Sequence, residues 1–195
     1  QNPELMKKNV NNKTILVTGA GGSIGSELCR QIILWKPQRL IVMDISEFAI
    51  YNLLEELQQC SLSYESVLVP LIGSVENRQF IKRVFDRFKV DTIYHAAAYK
   101  HVPLMEQNVM QCITNNVFGT LNITELAIDA KVKNFTFVST DKAVNPTNLM
   151  GASRRLAEII CQTLSTQKTD TCFSIVRFGN VLGSSGSVVP LFKKQ

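Results

Sequence analysis

The feature that most restricts the fold of this chain is Lys13–Thr18 (KTILVT) running straight into Gly19-Ala-Gly-Gly-Ser-Ile-Gly25. An apolar-periodic segment, Ser26–Trp35, follows at once, with Ile24, Leu28, Ile32 and Trp35 on one face. Strand, glycine turn and helix in that order form the context that a dinucleotide fingerprint requires. The spacing Gly19-x-x-Gly22-x-x-Gly25 is slightly wider than G-x-G-x-x-G. Around Ser23 and Ile24 a pyrophosphate could meet the helix N-terminus, where unpaired N–H groups and the dipole favour anions. Glycine turns are common, so the triplet alone specifies little.

The next strand adds to it. Arg39–Met43 ends in Asp44, 19 residues beyond Gly25, close to the ~20 expected for the acid that binds an adenosine ribose. Taken alone, Asp44 reads better as a cap for the helix Ser46–Gln59. A carboxylate there repels the extra phosphate of NADP, and Ile45–Ile50 supplies no Lys or Arg to hold one, so NAD is expected.

The alternation continues to the end. Ser66–Ile72 is a strand, Gly73-Ser74-Val75 a turn, and Glu76–Phe88 a helix burying Phe80, Val84, Phe85 and Phe88. Asp91–His95 is a strand ending in Ala96-Ala97-Ala98, small residues that admit either a cofactor or tight packing. After the loop Tyr99–Pro103, Leu104–Ala130 reads as helix with a single interruption at Gly119. Phe135–Ser139 is the fifth strand, and Thr140–Pro146 a polar turn. The helix Thr147–Thr166 carries Leu149, Leu156, Ile159, Ile160 and Thr163 as its apolar stripe. Cys172–Phe178 is the sixth strand, and Gly179–Ser187 a Gly/Ser/Asn loop. This pattern predicts an α/β domain with a doubly wound parallel sheet, a Rossmann fold in the order 3-2-1-4-5-6. It covers 13–195 after an N-terminal extension, 1–12. Asp141 and Lys142 fall at the carboxyl end of the fifth strand, where ligands bind in such sheets.

Composition narrows the partners. The net charge of +5 comes from scattered Lys and Arg, with doublets only at Lys7-Lys8, Arg154-Arg155 and Lys193-Lys194. A nucleic-acid surface needs a denser stripe with aromatic interleaving, whereas a mild positive bias suits an anionic small substrate. Five dispersed cysteines without CxxC spacing read as reduced core thiols of a cytoplasmic protein, and no metal is expected. No run approaches the ~18 apolar residues of a membrane span. The ends read as cuts in something longer.

The segments TGAGGSIGSELCRQI, HAAAYKHVPLMEQN, NNVFGTLNI, STDKAVNPTNLMGASRRLAE and RFGNVLGSSGSVVPLF together resemble extended short-chain dehydrogenase/reductases. The nearest likeness is to bacterial nucleotide-sugar 4,6-dehydratases of polysaccharide biosynthesis, acting on UDP-N-acetylglucosamine. It runs from about Lys13 to Phe192. Such enzymes continue into a smaller substrate domain, absent here, and some are tethered to membranes by preceding helices. The resemblance implies that NAD takes hydride from sugar C4 and returns it to C6 after loss of water.

It also implies roles for residues. Lys142 would be the base at C5, Asp141 the acid at the C6 hydroxyl, and Thr140 would position substrate. A lysine acting as base must be partly neutral, which requires burial or positive neighbours. Ser46, Ser74, Val75, Asn116, Ser139 and Arg154 would join the glycine loop, Asp44 and the alanines around the cofactor. Lys100, His101, Asn180, Ser187 and Val188 would face the UDP-sugar. For Lys100-His101 the alternative is a solvated turn; for Asn180, Ser187 and Val188 it is a loose glycine-serine loop, poorly ordered without the second domain.

The broader family completes its site with Tyr-x-x-x-Lys, but here Met150 and Arg154 stand at those positions. Met cannot exchange a proton, and Arg can donate to ribose hydroxyls but not relay protons. Asp141 or Lys142 is then the candidate for taking the O4 proton. Three functions remain open: the dehydratase, a related nucleotide-sugar epimerase or reductase, and a non-catalytic dinucleotide-binding module. A homodimer through Leu104–Ala130 and Thr147–Thr166 is expected by analogy with the fold.

Overall fold

The computed structural model describes residues 3–58, 67–167 and 169–181. Six strands form one sheet: β1 (Thr14–Thr18), β2 (Arg39–Asp44), β3 (Leu68–Ile72), β4 (Thr92–His95), β5 (Asn134–Thr140) and β6 (Cys172–Phe178). Their order is β3-β2-β1-β4-β5-β6, with every neighbouring pair parallel. This is the Rossmann-type arrangement that the alternation of strands and helices predicts. It leaves a crevice between β1 and β4, where the order reverses.

All five residues of β1 are buried, because a parallel sheet is covered on both faces. Alternate residues of the central strands enter two separate cores. Ile15, Val17, Leu40 and Val42 pack against α2 (Ser23–Ile33) and α3 (Glu47–Gln58). Leu16, Ile41, Met43, Ile93, Phe135 and Phe137 face α4 (Arg78–Phe88), α7 (Gly119–Asp129) and α8 (Leu149–Ser165). Phe135 and Phe137 are fully buried, each worth about 2–3 kcal/mol against exposure. A short α1 (Pro3–Val10) precedes β1 and lodges Val10 in the first core.

Helix faces depart from the predicted stripes. In α2 the buried positions are Gly25, Cys29, Ile32 and Ile33; Ile24, Leu28 and Trp35 are half-buried. In α4 they are Ile81, Val84 and Phe85, with Phe80 and Phe88 packed at the margin. The predicted helix Leu104–Ala130 is broken at Asn108 between α5 (Val102–Gln107) and α6 (Val109–Ile113). It then passes through a π-helical turn, Thr114–Phe118, before α7. Gly119, predicted as the interruption, is helical; its missing side chain leaves space for Val75.

The largest departure is α8. Its buried face is Met150, Gly151, Ser153, Arg154, Ala157, Glu158 and Cys161, while Leu156 and Ile159 of the predicted stripe are 50% and 43% exposed. The inward carboxylate of Glu158 is paired. Glu158 accepts from Ser139 Oγ at 2.7 Å and from Arg155 Nη1 at 3.0 Å. Arg177 adds a two-pronged contact through Nε at 2.7 Å and Nη2 at 2.6 Å. Burial works to raise the Glu158 carboxyl, but the donors from Arg177, Ser139 and Arg155 prevail and hold it at about 2. One carboxylate thereby joins α8, β5 and β6.

Because the folded value is depressed, this stabilisation is complete above the ordinary carboxylate range near pH 4.5 and disappears as pH falls toward 2. Urea denaturation from pH 7 to pH 2 should show Glu158→Gln less stable by about 3 kcal/mol at pH 7. The gap between variant and wild type should narrow as pH falls through about 4.5 and close toward pH 2. A gap that does not depend on pH would show that the carboxylate charge is not what matters.

Candidate active site

The crevice at the β1/β4 switch point opens between the glycine loop and the end of β4. It is lined by Gly19, Gly22, Met43, Asp44, Ile45, Gly73, Val75, Ala96, Ala97, Ala98, Tyr99 and Asn115. Gly19 adopts φ +66°, and a Cβ there would lie 2.6 Å from the Ala97 nitrogen. A Cβ on Gly25 would overlap the Gly19 carbonyl oxygen. These two positions need glycine so that β1, α2 and β4 can meet. Gly22 is the N-cap of α2 and brings no side chain to the first-turn N–H groups, leaving that end open to an anion.

Asp44 fastens the loop from the other side. Its Oδ2 accepts from Gly21 N at 3.0 Å and its Oδ1 from Ser46 N at 3.0 Å. The helix-capping alternative falls to Ser46, whose Oγ accepts from Ala49 N at 3.2 Å. Two of the roughly four acceptor sites of a carboxylate are thus used, and the other two remain for a vicinal diol. The loop, the uncapped helix end and Asp44 fit a dinucleotide.

Beneath the crevice lies His95, fully buried. Thr120 Oγ1 donates to Asn116 O at 2.7 Å, so it must accept from His95 Nε2, 3.0 Å away. His95 Nδ1 then accepts from Thr18 Oγ1 at 2.7 Å, and Thr18 Oγ1 accepts from Ala97 N at 3.4 Å. Burial, reinforced by the charge of Arg154, pushes His95 down to about 3. It is therefore a neutral strut between β1, β4 and α7.

Asn116 does similar work from the π-helical turn. Its Oδ1 accepts from Tyr99 N at 2.9 Å and its Nδ2 donates to Tyr99 O at 3.0 Å and Ser153 Oγ at 3.0 Å. It holds the crevice wall instead of facing the crevice. Ser139 points its hydroxyl at Glu158. Arg154 is 3% exposed, donates to Val138 O and lies 4.3 Å over the Phe137 ring, its Nη1 buried without a hydrogen-bond partner. Asn116, Ser139 and Arg154, for which cofactor contacts are implied, thus have interior partners in this structure. Ser74 Oγ caps Glu76 N at 3.1 Å. Ser23 and Ile24 open α2 without lining the crevice.

The second half of the site is the turn after β5. Asp141–Ala143 form a 3₁₀ turn capped by Thr140, whose Oγ1 accepts from Lys142 N at 3.3 Å. Thr140 Oγ1 also donates to Asp141 Oδ1 at 2.9 Å. That bond, helped by Lys142, holds the Asp141 carboxyl below its usual range. Lys142 Nζ reaches Asp141 Oδ1 at 3.5 Å and Asn180 Oδ1 at 3.1 Å. Its side chain is 38% exposed, so the burial that a basic lysine needs is not present in this state. α8 docks on this turn at Gly151, where a Cβ would strike the Lys142 carbonyl oxygen.

Met150 is 3% exposed and packs in a small apolar cluster with Met105 and Cys112; its side chain has no proton to exchange. Lys100 and His101 are exposed in the segment before α5. Ser187 and Val188, with most of the expected Gly179–Ser187 loop, lie outside the described residues. Tyr99, Asn115 and His95 were not singled out from the sequence as site residues. The polar character of NN at 115–116 inside an apolar-periodic helix was the available signal. Among the described residues no cluster of ligand side chains could hold a metal ion, and no helix is long and apolar enough to cross a membrane.

The chain matches, over residues 15–195, a family described as polysaccharide biosynthesis protein. It is 50% identical over 191 residues to the capsular polysaccharide biosynthesis protein CapD of Staphylococcus aureus, covering 98% of this chain and 32% of that protein. A UDP-N-acetylglucosamine 4,6-dehydratase (inverting) of Campylobacter jejuni is 36% identical over 188 residues, covering 94% of this chain and 54% of that one. A UDP-glucose 4-epimerase of Rickettsia canadensis is also 36% identical, covering 94% and 53%. Among solved structures, Pen from Bacillus thuringiensis superposes with a TM-score of 0.88 at 34% identity, covering 96% of this chain and 58% of that one. The chain thus spans about a third to a half of the curated relatives it matches.

If Asn116 holds the crevice wall, Asn116→Ala should leave Tyr99 unanchored. Its amide should exchange with solvent roughly tenfold faster by hydrogen-exchange mass spectrometry, the loss of about one net hydrogen bond. Unchanged protection at Tyr99 would show that the wall is held by other contacts.

Proposed function

The chain belongs to the polysaccharide biosynthesis protein family, and on that footing we propose that it supplies the NAD-binding part of a nucleotide-sugar 4,6-dehydratase. The substrate is UDP-N-acetylglucosamine and the product a UDP-4-keto-6-deoxy sugar for surface polysaccharide. One observation carries this: the crevice and the Thr140–Lys142 turn share the carboxyl edge of the sheet, with β5 one strand beyond β4. Strand spacing is ~4.8 Å, so a sugar beside a nicotinamide in the crevice lies within reach of the turn.

Gly19, Gly22 and Gly25 would cradle the pyrophosphate, and Asp44 would take the adenosine ribose and exclude the extra phosphate of NADP. When bound, the nicotinamide supplies a reversible hydride acceptor at the sugar. The side chains handle the protons. Asp141 is a carboxylate in the free site, its acidity raised first by Thr140 and then by Lys142. It therefore begins as the group that takes the O4 proton and then gives that same proton to the departing C6 hydroxyl. Lys142 removes the C5 proton and later returns it to C5. The O4 proton and the C6 hydroxyl leave together as one water, and both side chains end as they began. Bound sugar would bring the desolvation that the exposed turn lacks.

The curated relatives include an epimerase at the same identity as the dehydratase, so similarity alone does not separate the two reactions. Met150 favours the dehydratase reading: the helix position from which the broader family deprotonates O4 has no titratable group, and the adjacent acid and base of the turn suit elimination. A further substrate domain, a cytoplasmic site of action and a homo-oligomer belong to the same proposal. Leu156 and Ile159 offer an apolar face for the last.

Full-length protein incubated with UDP-N-acetylglucosamine should release a nucleotide sugar lighter by one water in the mass spectrum; an isobaric product would instead mark an epimerase. Lys142→Ala should lower kcat by about 10³ while NAD affinity, by calorimetry, stays within twofold. Full activity in that variant would remove Lys142 as the base. Asp44→Ala should weaken NAD while bringing NADP affinity closer to it.

A further inference from the structure

Resting on the assignment of Lys142 as the base, we infer that Asn180 is a positioning residue that aims the Lys142 amine. Asn180 follows β6, whose last residue, Phe178, is in register with Thr140 of β5. Gly179 leaves room for the Asp141 carboxylate, since a Cβ there would lie 3.3 Å from Asp141 Oδ2. At that junction Lys142 Nζ donates to Asn180 Oδ1 at 3.1 Å, the shorter of its two contacts, and to Asp141 Oδ1 at 3.5 Å. Both partners are acceptors.

The geometry of an amine turns this into direction. Neutral Nζ is tetrahedral, with Cε, two N–H bonds and one lone pair. If Asp141 and Asn180 take the two N–H bonds, the lone pair must point along the one vertex left. With Asp141 alone, the amine spins about the Cε–Nζ axis and the lone pair samples several directions. Asn180 is thus the second fixed point. Its own backbone is tied to the interior through Arg177, three residues earlier, which grips Glu158.

This differs from a role in gripping the nucleotide, and the two come apart under measurement. The test uses full-length wild type, Asn180→Ala and Asn180→Asp. The first readout is the rate at which an acylating reagent labels Lys142 at fixed pH, followed by peptide mass spectrometry. The second is kcat, KM for UDP-N-acetylglucosamine and Kd for UDP. An acceptor stabilises the protonated amine, and an anionic acceptor does so more strongly. Labelling should therefore be several-fold faster in Asn180→Ala and several-fold slower in Asn180→Asp. A merely structural role would not reverse sign between them. In Asn180→Ala kcat should fall about tenfold, with KM and the UDP Kd within twofold. Labelling unchanged in both variants would overturn the inference, as would a raised UDP Kd with kcat unchanged. Failure of the wild type to form a dehydrated product would overturn the dehydratase assignment alone, and the order of labelling rates would still decide the Asn180 contact.

Discussion

The structure depends on one close backbone approach. At the end of β1 the chain turns through Gly19 against the backbone of Ala96 and Ala97, and the first turn of α2 sets Gly25 against the Gly19 carbonyl. Backbone meets backbone on both sides, so no rotamer change could accommodate a side chain. That approach sets the angle at which α2 leaves the sheet, opens the crevice between β1 and β4, and lets Asp44 reach Gly21. His95 secures the same junction from below through Thr18 and Thr120. Crevice and core are therefore one piece of structure, and the site is preorganised to the extent that the sheet is.

What could be read from the sequence follows from how local its physics is. The strands and their order were legible because β-branched runs alternate with helical segments and parallel crossovers admit few topologies. The glycine loop and Asp44 were legible because their spacing reflects backbone geometry. The π-helical turn was not. Apolar periodicity averages over several turns and passes smoothly across one irregular turn, so the segment around Asn115 and Asn116 looked like continuous helix. The break at Asn108 was hidden for the same reason.

α8 was misread in a more instructive way. A periodicity argument sends Leu156 and Ile159 inward. The structure exposes both and buries Arg154 and Glu158, because partners for the charges come from elsewhere in the chain: Ser139 from β5, Arg177 from β6 and the ring of Phe137. A buried charge is tolerable only with such partners, and nothing within α8 itself announces them. The arrangement also explains how the Thr140–Lys142 turn is held. Ser139 adjoins it, Gly151 rests on it, and Glu158 binds both strands that end beside it.

The π-helical turn at Thr114–Phe118 has a consequence for how this segment tolerates change in length. An i→i+5 turn holds one residue more than the α-helix it interrupts. Deleting a residue there would let the helix close into regular i→i+4 bonding with little loss of backbone hydrogen bonds. Each residue, however, accounts for about 100° of rotation. The side chains within the turn would then take up new directions, and Asn116 could no longer reach Tyr99 and Ser153 together. Helicity would survive and the crevice wall would not.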